Sequence, residues 1–118
     1  MQNKRQVGGY GEDLAVAYLE KHGYNIVSRN VRMRSGEIDI IATHRGATVF
    51  VEVKYRRGTQ FGNPEESVTA QKIQCLRGAI TEWCAVNHCR GTVRADVVAI
   101  TDLNGAVSYD IFEDILTS

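Results

Sequence analysis

Between residues 36 and 55 the chain reads GEIDIIATHRGATVFVEVKY, in which apolar and polar positions alternate on both sides of a central Arg-Gly. Period-two alternation over short runs rich in Ile, Val and Phe marks half-buried strands. It predicts strands over Glu37–Thr43 and Ala47–Tyr55, joined by a two-residue turn at Arg45 and Gly46. Such turns need positive φ at both central positions, which Gly accepts readily and Arg less so. With this turn Ile38 faces Val53, Ile40 faces Val51 and Ala42 faces Val49, giving one apolar face. The other face pairs Ile41 with Phe50, Asp39 with Glu52 and Glu37 with Lys54.

The remaining pattern is simpler. Leu14, Ala15, Ala17, Tyr18 and Leu19 predict a helix from about Gly11 to His22, with Gly23 as its left-handed cap. A strand follows over Tyr24–Val31. Ile73, Leu76, Ile80, Trp83 and Asn87 recur at helical spacing and predict a second helix from Val68 to Asn87, with Ser67 as N-cap. Tyr18 and Trp83 fall on these helical core faces and are read as packing residues. Pro64 lies in the turn-rich stretch before this helix. Strands over Thr92–Thr101 and Val107–Phe112, separated by the turn residues Asp102–Gly105, close the chain. The order α-β-β-β-α-β-β predicts an α/β fold, a single domain over residues 1–118 in which helices flank one central mixed sheet.

Composition narrows the class. With 118 residues, 43% apolar and 24% charged, the chain is long enough to bury a core and is ordinary for a globular protein. No apolar run approaches the ~20 residues that span a bilayer, and MQNKRQVGGYGED lacks the apolar middle of a signal peptide, so a cytoplasmic protein without a membrane partner is expected. Three cysteines with no C-x-x-C pair suit a reducing compartment, and a zinc site on Cys84, His88 and Cys89 would lack a fourth ligand. GGYG at residues 8–11 has neither the spacing nor the preceding strand of a phosphate loop; a flexible lead into the first helix accounts for it. Net charge is zero but unevenly spread. Arg29, Arg32, Arg34, Arg45, Lys54, Arg56 and Arg57 outnumber Glu37, Asp39 and Glu52 in the middle of the chain, whereas acids dominate after Glu82. The middle would face a polyanion.

The hairpin carries the candidate chemistry. Like charges opposite one another on a sheet are destabilising, with Cβ atoms ~5 Å apart. Asp39 facing Glu52 therefore calls for a cation, and Mg²⁺ takes carboxylate oxygens together with water and phosphate oxygens. Lys54, two residues beyond Glu52, projects from the same face and could hold a water or stabilise a developing phosphorane charge. An ordinary solvated face with a Glu37–Lys54 cross-strand pair is the competing account.

Asp39 followed by Glu52-Val53-Lys54 across a hairpin resembles the PD-(D/E)xK core of the restriction-endonuclease-like superfamily, with Ile38 in the proline position. With the preceding helix that carries Glu12, it is similar to archaeal Holliday-junction resolvases. The whole chain resembles the bacterial YraN family in Gly8, Glu12 and Ala15, in GEIDII, in FVEVKYR, in Gly62 and Pro64, and in Val68 and Lys72. Gln71 does not complete the Q-x-x-x-Y motif of RecB-type nucleases, because Cys75 stands in the tyrosine position.

The resemblance implies a restriction-endonuclease-like fold and Mg²⁺ or Mn²⁺ held by Glu12, Asp39, Glu52 and the Val53 carbonyl. Lys54 would be the catalytic cation and Glu37 an orienting partner for it or an alternative ligand. Arg32, Arg34, Arg56, Arg57 and Lys72 would contact nucleic acid, or form a solvated basic rim. The function so implied is metal-dependent hydrolysis of DNA, branched or otherwise structured, by a homodimer as in the resolvases. A protein that binds nucleic acid or a partner without turnover is the alternative.

Overall fold

The computed structural model describes residues 4–58 and 69–116. The elements are α1 (Lys4–Lys21), β1 (Asn25–Arg32), β2 (Glu37–His44), β3 (Ala47–Arg57), α2 (Ala70–Asn87), β4 (Val93–Leu103) and β5 (Ala106–Phe112). The order is that expected from the sequence. The five strands form one sheet in chain order, antiparallel except for the parallel β3–β4 pair that runs from Thr48–Val93 to Arg57–Asp102. A parallel pair requires a crossover, and the segment containing α2 supplies it.

The two helices bury opposite faces of the sheet. On one, Ala15 and Leu19 of α1 cover Ile40, Ala42, Val49, Val51, Val98 and Ile100. On the other, Leu76, Ala79 and Ile80 of α2 cover Ile38, Ile41, Phe50 and Ala95. Trp83 meets Phe50 edge to face at 5.5 Å, and Tyr18 stacks on Tyr109 at 4.5 Å, so both are packing residues.

The hairpin turn is as expected: Arg45 and Gly46 both have positive φ (49° and 79°), and His44 pairs with Ala47. Three details differ. The first helix begins at Lys4, so the glycine cluster lies within it rather than leading into it. Gly11 is there for close approach, since a Cβ on it would lie 2.7 Å from the Tyr55 Cβ. The cap of α2 is Thr69, whose hydroxyl accepts from the Lys72 N–H at 3.2 Å; Ser67, with Gly62, Pro64 and Val68, lies outside the described residues. Finally, Ile38 packs on the α2 side although Ile40 packs on the α1 side. Strict alternation would put both on one face, so the parity of β2 breaks at Asp39.

Among the described residues no helix is long and apolar enough to cross a membrane.

Candidate functional site

The break at Asp39 builds the site. Paired residues of β2 and β3 run from His44–Ala47 to Ile40–Val51 and stop there. Beyond that point the Val53 N–H donates to Asp39 Oδ2 at 2.8 Å, so a carboxylate takes the place of a strand carbonyl. The ladder gives way to a group of acids. Asp39 is half-buried, and its carboxyl is pushed up to about 7, first by burial and then by the charge of Glu52, with smaller contributions from Glu12 and Glu37; the Val53 N–H works against this. The facing of Asp39 and Glu52 expected from the turn thus survives as proximity, without ladder pairing.

Lys54 lies on the same side as Glu52 and pairs with it, Nζ to Oε1 at 3.2 Å, with the two side chains 15% and 22% exposed. The expected facing of Glu37 and Lys54 does not form. The β2–β3 ladder ends before it reaches them, and the ladder partner of Glu37 is Arg32 of β1. Glu37 instead lines a cavity of about 370 Å³ between the start of β2 and the first turn of α2. Glu52, Thr69, Gln71 and Lys72 also line it. The neighbouring Lys54 ammonium and then burial lower the pKa of Lys72, against the pull of Glu52 and Asp39.

Glu12 is buried and comes from α1, on the opposite face. Its Oε1 accepts from Arg29 Nε at 2.8 Å and from Asn30 Nδ2 at 2.9 Å. Asn30 adopts φ 54°, a left-handed conformation Asn tolerates, while Arg29 also reaches Asp13 at 2.6 Å. Glu12 is therefore near enough to raise Asp39 yet already holds two donors.

The arginines divide. Arg32 ends β1 beside Glu37, and the backbone N–H of Arg34 donates to Glu82. Arg57 contacts the Tyr55 hydroxyl, which donates to Asp102, and lines a separate cleft with residues 102–105; Arg56 is half-buried next to it.

The donors near Asp39 are carboxylates, without sulfur or imidazole, the kind of ligand a hard divalent cation takes. Among the described residues no three His, Cys, Asp or Glu side chains already stand close enough to hold a metal, as Glu12 is turned toward Arg29. Asp39 and Glu52 are the pair that fits. Cys84 and His88 do not make a zinc site either. His88 is the exposed left-handed cap of α2, and the Cys84 thiol is pushed up to about 12 by burial and by contact with Cys89.

The sequence reading passed over one polar cluster. Asp96 is fully buried in β4 and accepts from Tyr24 Oη (2.8 Å), Arg94 Nε and Nη2 (2.9 and 2.8 Å) and the Asp114 N–H (3.0 Å). His44 Nδ1 joins it through Arg94 at 2.7 Å and stacks on Tyr24. The signal was present: an acid inside the run ADVVAI must find donors, and Arg94 two residues earlier lies on its side of the strand.

Comparison with known proteins places the chain. The model of the uncharacterised protein family UPF0102 matches residues 11–100, which include Glu12, the hairpin and Lys72. A UPF0102 protein of Leifsonia xyli is 45% identical over 101 residues, covering 85% of this chain and 86% of the relative. One from Corynebacterium efficiens is 44% identical over 115 residues, covering 95% and 93%. One from Flavobacterium psychrophilum is 37% identical over 114 residues, covering 97% and 96%. This chain, in which the YraN resemblance was read from its motifs, belongs to the UPF0102 family.

Proposed function

We propose that this protein is a divalent-cation-dependent endonuclease acting on the phosphodiester bonds of DNA, with branched or structured DNA as its substrate. The observation that carries the reading is the Asp39 carboxylate, anchored by the Val53 N–H and crowded by Glu52, which lines a cavity together with Lys72 and pairs with Lys54. Asp39 and Glu52, joined by Glu12 and the Val53 carbonyl, would hold Mg²⁺ or Mn²⁺. The cation when bound supplies neutralisation of the charge that develops on the scissile phosphate. Lys54, held within 3.2 Å of Glu52, donates to a phosphate oxygen or to the attacking water. Arg32 at the end of β1 and Arg34 in the following turn extend a basic edge for flanking phosphates, and Arg56 and Arg57 do the same from the end of β3.

Purified protein incubated with linear, nicked, flapped and four-way DNA in Mg²⁺ or Mn²⁺ tests this. Cleavage is expected, and loss of it in Asp39→Ala, Glu52→Ala and Lys54→Ala variants that keep their circular dichroism. A protein inert on all four substrates would sink the nuclease reading.

The engagement of Glu12 by Arg29 and Asn30 favours a second reading, a protein that binds nucleic acid in the same groove without turnover. Binding without cleavage, unchanged in Asp39→Ala, would select it.

A further inference from the structure

Helix α2 ends in a turn that brings two cysteines together. His88 caps it in the left-handed conformation (φ 52°, ψ 47°), and its N–H donates to the Cys84 carbonyl. Cys89 turns back as well, its N–H donating to the same oxygen at 3.1 Å. In a left-handed cap closed by this bond, the side chain just past the capping residue packs against one in the last turn of the helix. Apolar residues serve in both places, and here both are cysteines.

A disulfide needs α-carbons about 4.4–6.8 Å apart. Residues joined by a backbone N–H and carbonyl lie in that range, as the ~5.5 Å of a hydrogen-bonded strand pair illustrates. The main chain therefore already holds Cys84 and Cys89 at bridging distance. Both are partly exposed, so a small reagent can reach them. Cys75 cannot compete: it lies nine residues before Cys84 on the same helix, about 13 Å away along the axis.

We propose that Cys84 and Cys89 form a reversible redox site, free under reducing conditions and joined in one disulfide when a low-molecular-weight disulfide such as oxidised glutathione is in excess. One protein thiolate attacks the S–S bond of the reagent, giving a mixed disulfide and releasing one small thiolate. The other protein thiol gives up its proton to that thiolate, attacks the protein sulfur of the mixed disulfide and displaces the second small thiolate. The protein thiols lose two electrons and two protons, the reagent gains them, and two small thiols leave. Burial and the neighbouring Cys89 push the Cys84 thiol up to about 12, so Cys89 makes the first attack and Cys84 the second. The bond ties the end of the crossover helix to the segment that enters β4.

Arg77 and Arg90 bracket both cysteines, so trypsin releases them on the single peptide 78–90, apart from Cys75. Reduced full-length protein is equilibrated in glutathione buffers of graded ratio, with and without concentrated urea, quenched in acid, labelled with N-ethylmaleimide and digested for mass spectrometry. The expected product is 78–90 unlabelled and lighter by two hydrogens, restored to two thiols by dithiothreitol. It should form in the folded protein at a ratio about tenfold more reducing than in urea, because a bond that suits the native state is favoured by it. Full labelling of both cysteines at every ratio, or glutathione on each of them, overturns the proposal. So does a ratio in the folded protein no more reducing than in urea, which would mark the pair as cap packing alone.

Discussion

The Val53 amide and the Asp39 carboxylate meet at 2.8 Å at the point where the β2–β3 ladder ends. That one bond keeps a charge inside the sheet that the surrounding acids oppose. Since the folded state raises the Asp39 pKa to about 7, its protonated form is favoured on folding. The stabilising contribution is full below the unfolded pKa near 4 and is lost as pH rises through 7. A neutral amide at this position could still accept from the Val53 N–H. Asp39→Asn should therefore stabilise the metal-free protein at pH 8, by about 2–4 kcal/mol, with the difference vanishing toward pH 4. Urea unfolding in EDTA at the two pH values checks it; equal midpoints at pH 8 would show that the charge is not strained.

The same substitution should have the opposite sign at Asp96. There the carboxylate is fully buried but receives three side-chain donor atoms and a backbone N–H, and Arg94 is its counter-ion. Removing the charge leaves the half-buried guanidinium without that counter-ion. Asp96→Asn should cost about 3 kcal/mol, as breaking a buried pair does. A denaturation midpoint equal to that of wild type would refute this.

A third expectation concerns acid. Glu82 of α2 accepts from the Ser35 hydroxyl and from the N–H groups of Arg34 and Ser35, tying the helix to the β1–β2 turn. The Ser35 hydroxyl bond and these amides hold its pKa below the usual carboxylate value. A depressed pKa contributes stability above the unfolded pKa and loses it as pH falls through the folded one. Wild type should exceed Glu82→Gln in thermal stability at pH 7, and the gap should narrow as pH falls below the usual carboxylate range. A gap that persists in acid would mean the carboxylate charge is irrelevant.

Much of this was legible in GEIDIIATHRGATVFVEVK, because alternation fixes which residues share a face and Arg45-Gly46 fixes the register. The legibility ends at Asp39. Past the last ladder pair, parity no longer holds, so Ile38 crosses to the α2 side and Glu37 leaves Lys54. The cap of α2 is Thr69, where the sequence suggested Ser67, because the Thr69 hydroxyl accepts from the Lys72 N–H. The Asp96 cluster was readable as an acid in an apolar run, but its partners Tyr24, His44 and Asp114 come from three distant points in the chain.

Two glycines on either side of Tyr10 make the last test. Both Gly9 and Gly11 lie in α1, where Ala is favoured over Gly by about 1 kcal/mol on propensity alone. A Cβ on Gly9 would meet nothing within 4 Å, so Gly9→Ala should raise stability by about 0.5–1 kcal/mol. A Cβ on Gly11 would sit 2.7 Å from Tyr55 Cβ and 2.9 Å from its Cγ, atoms fixed to β3 and unable to swing away. Overpacking of this kind costs about 1–3 kcal/mol and outweighs the propensity gain. Gly11→Ala should thus lower the melting temperature while Gly9→Ala raises it. Since Glu12 follows Gly11 directly, the displaced helix would also loosen the Glu12–Arg29 pair. Two variants that shift together, in either direction, would mean that α1 does not press on Tyr55 as closely as this.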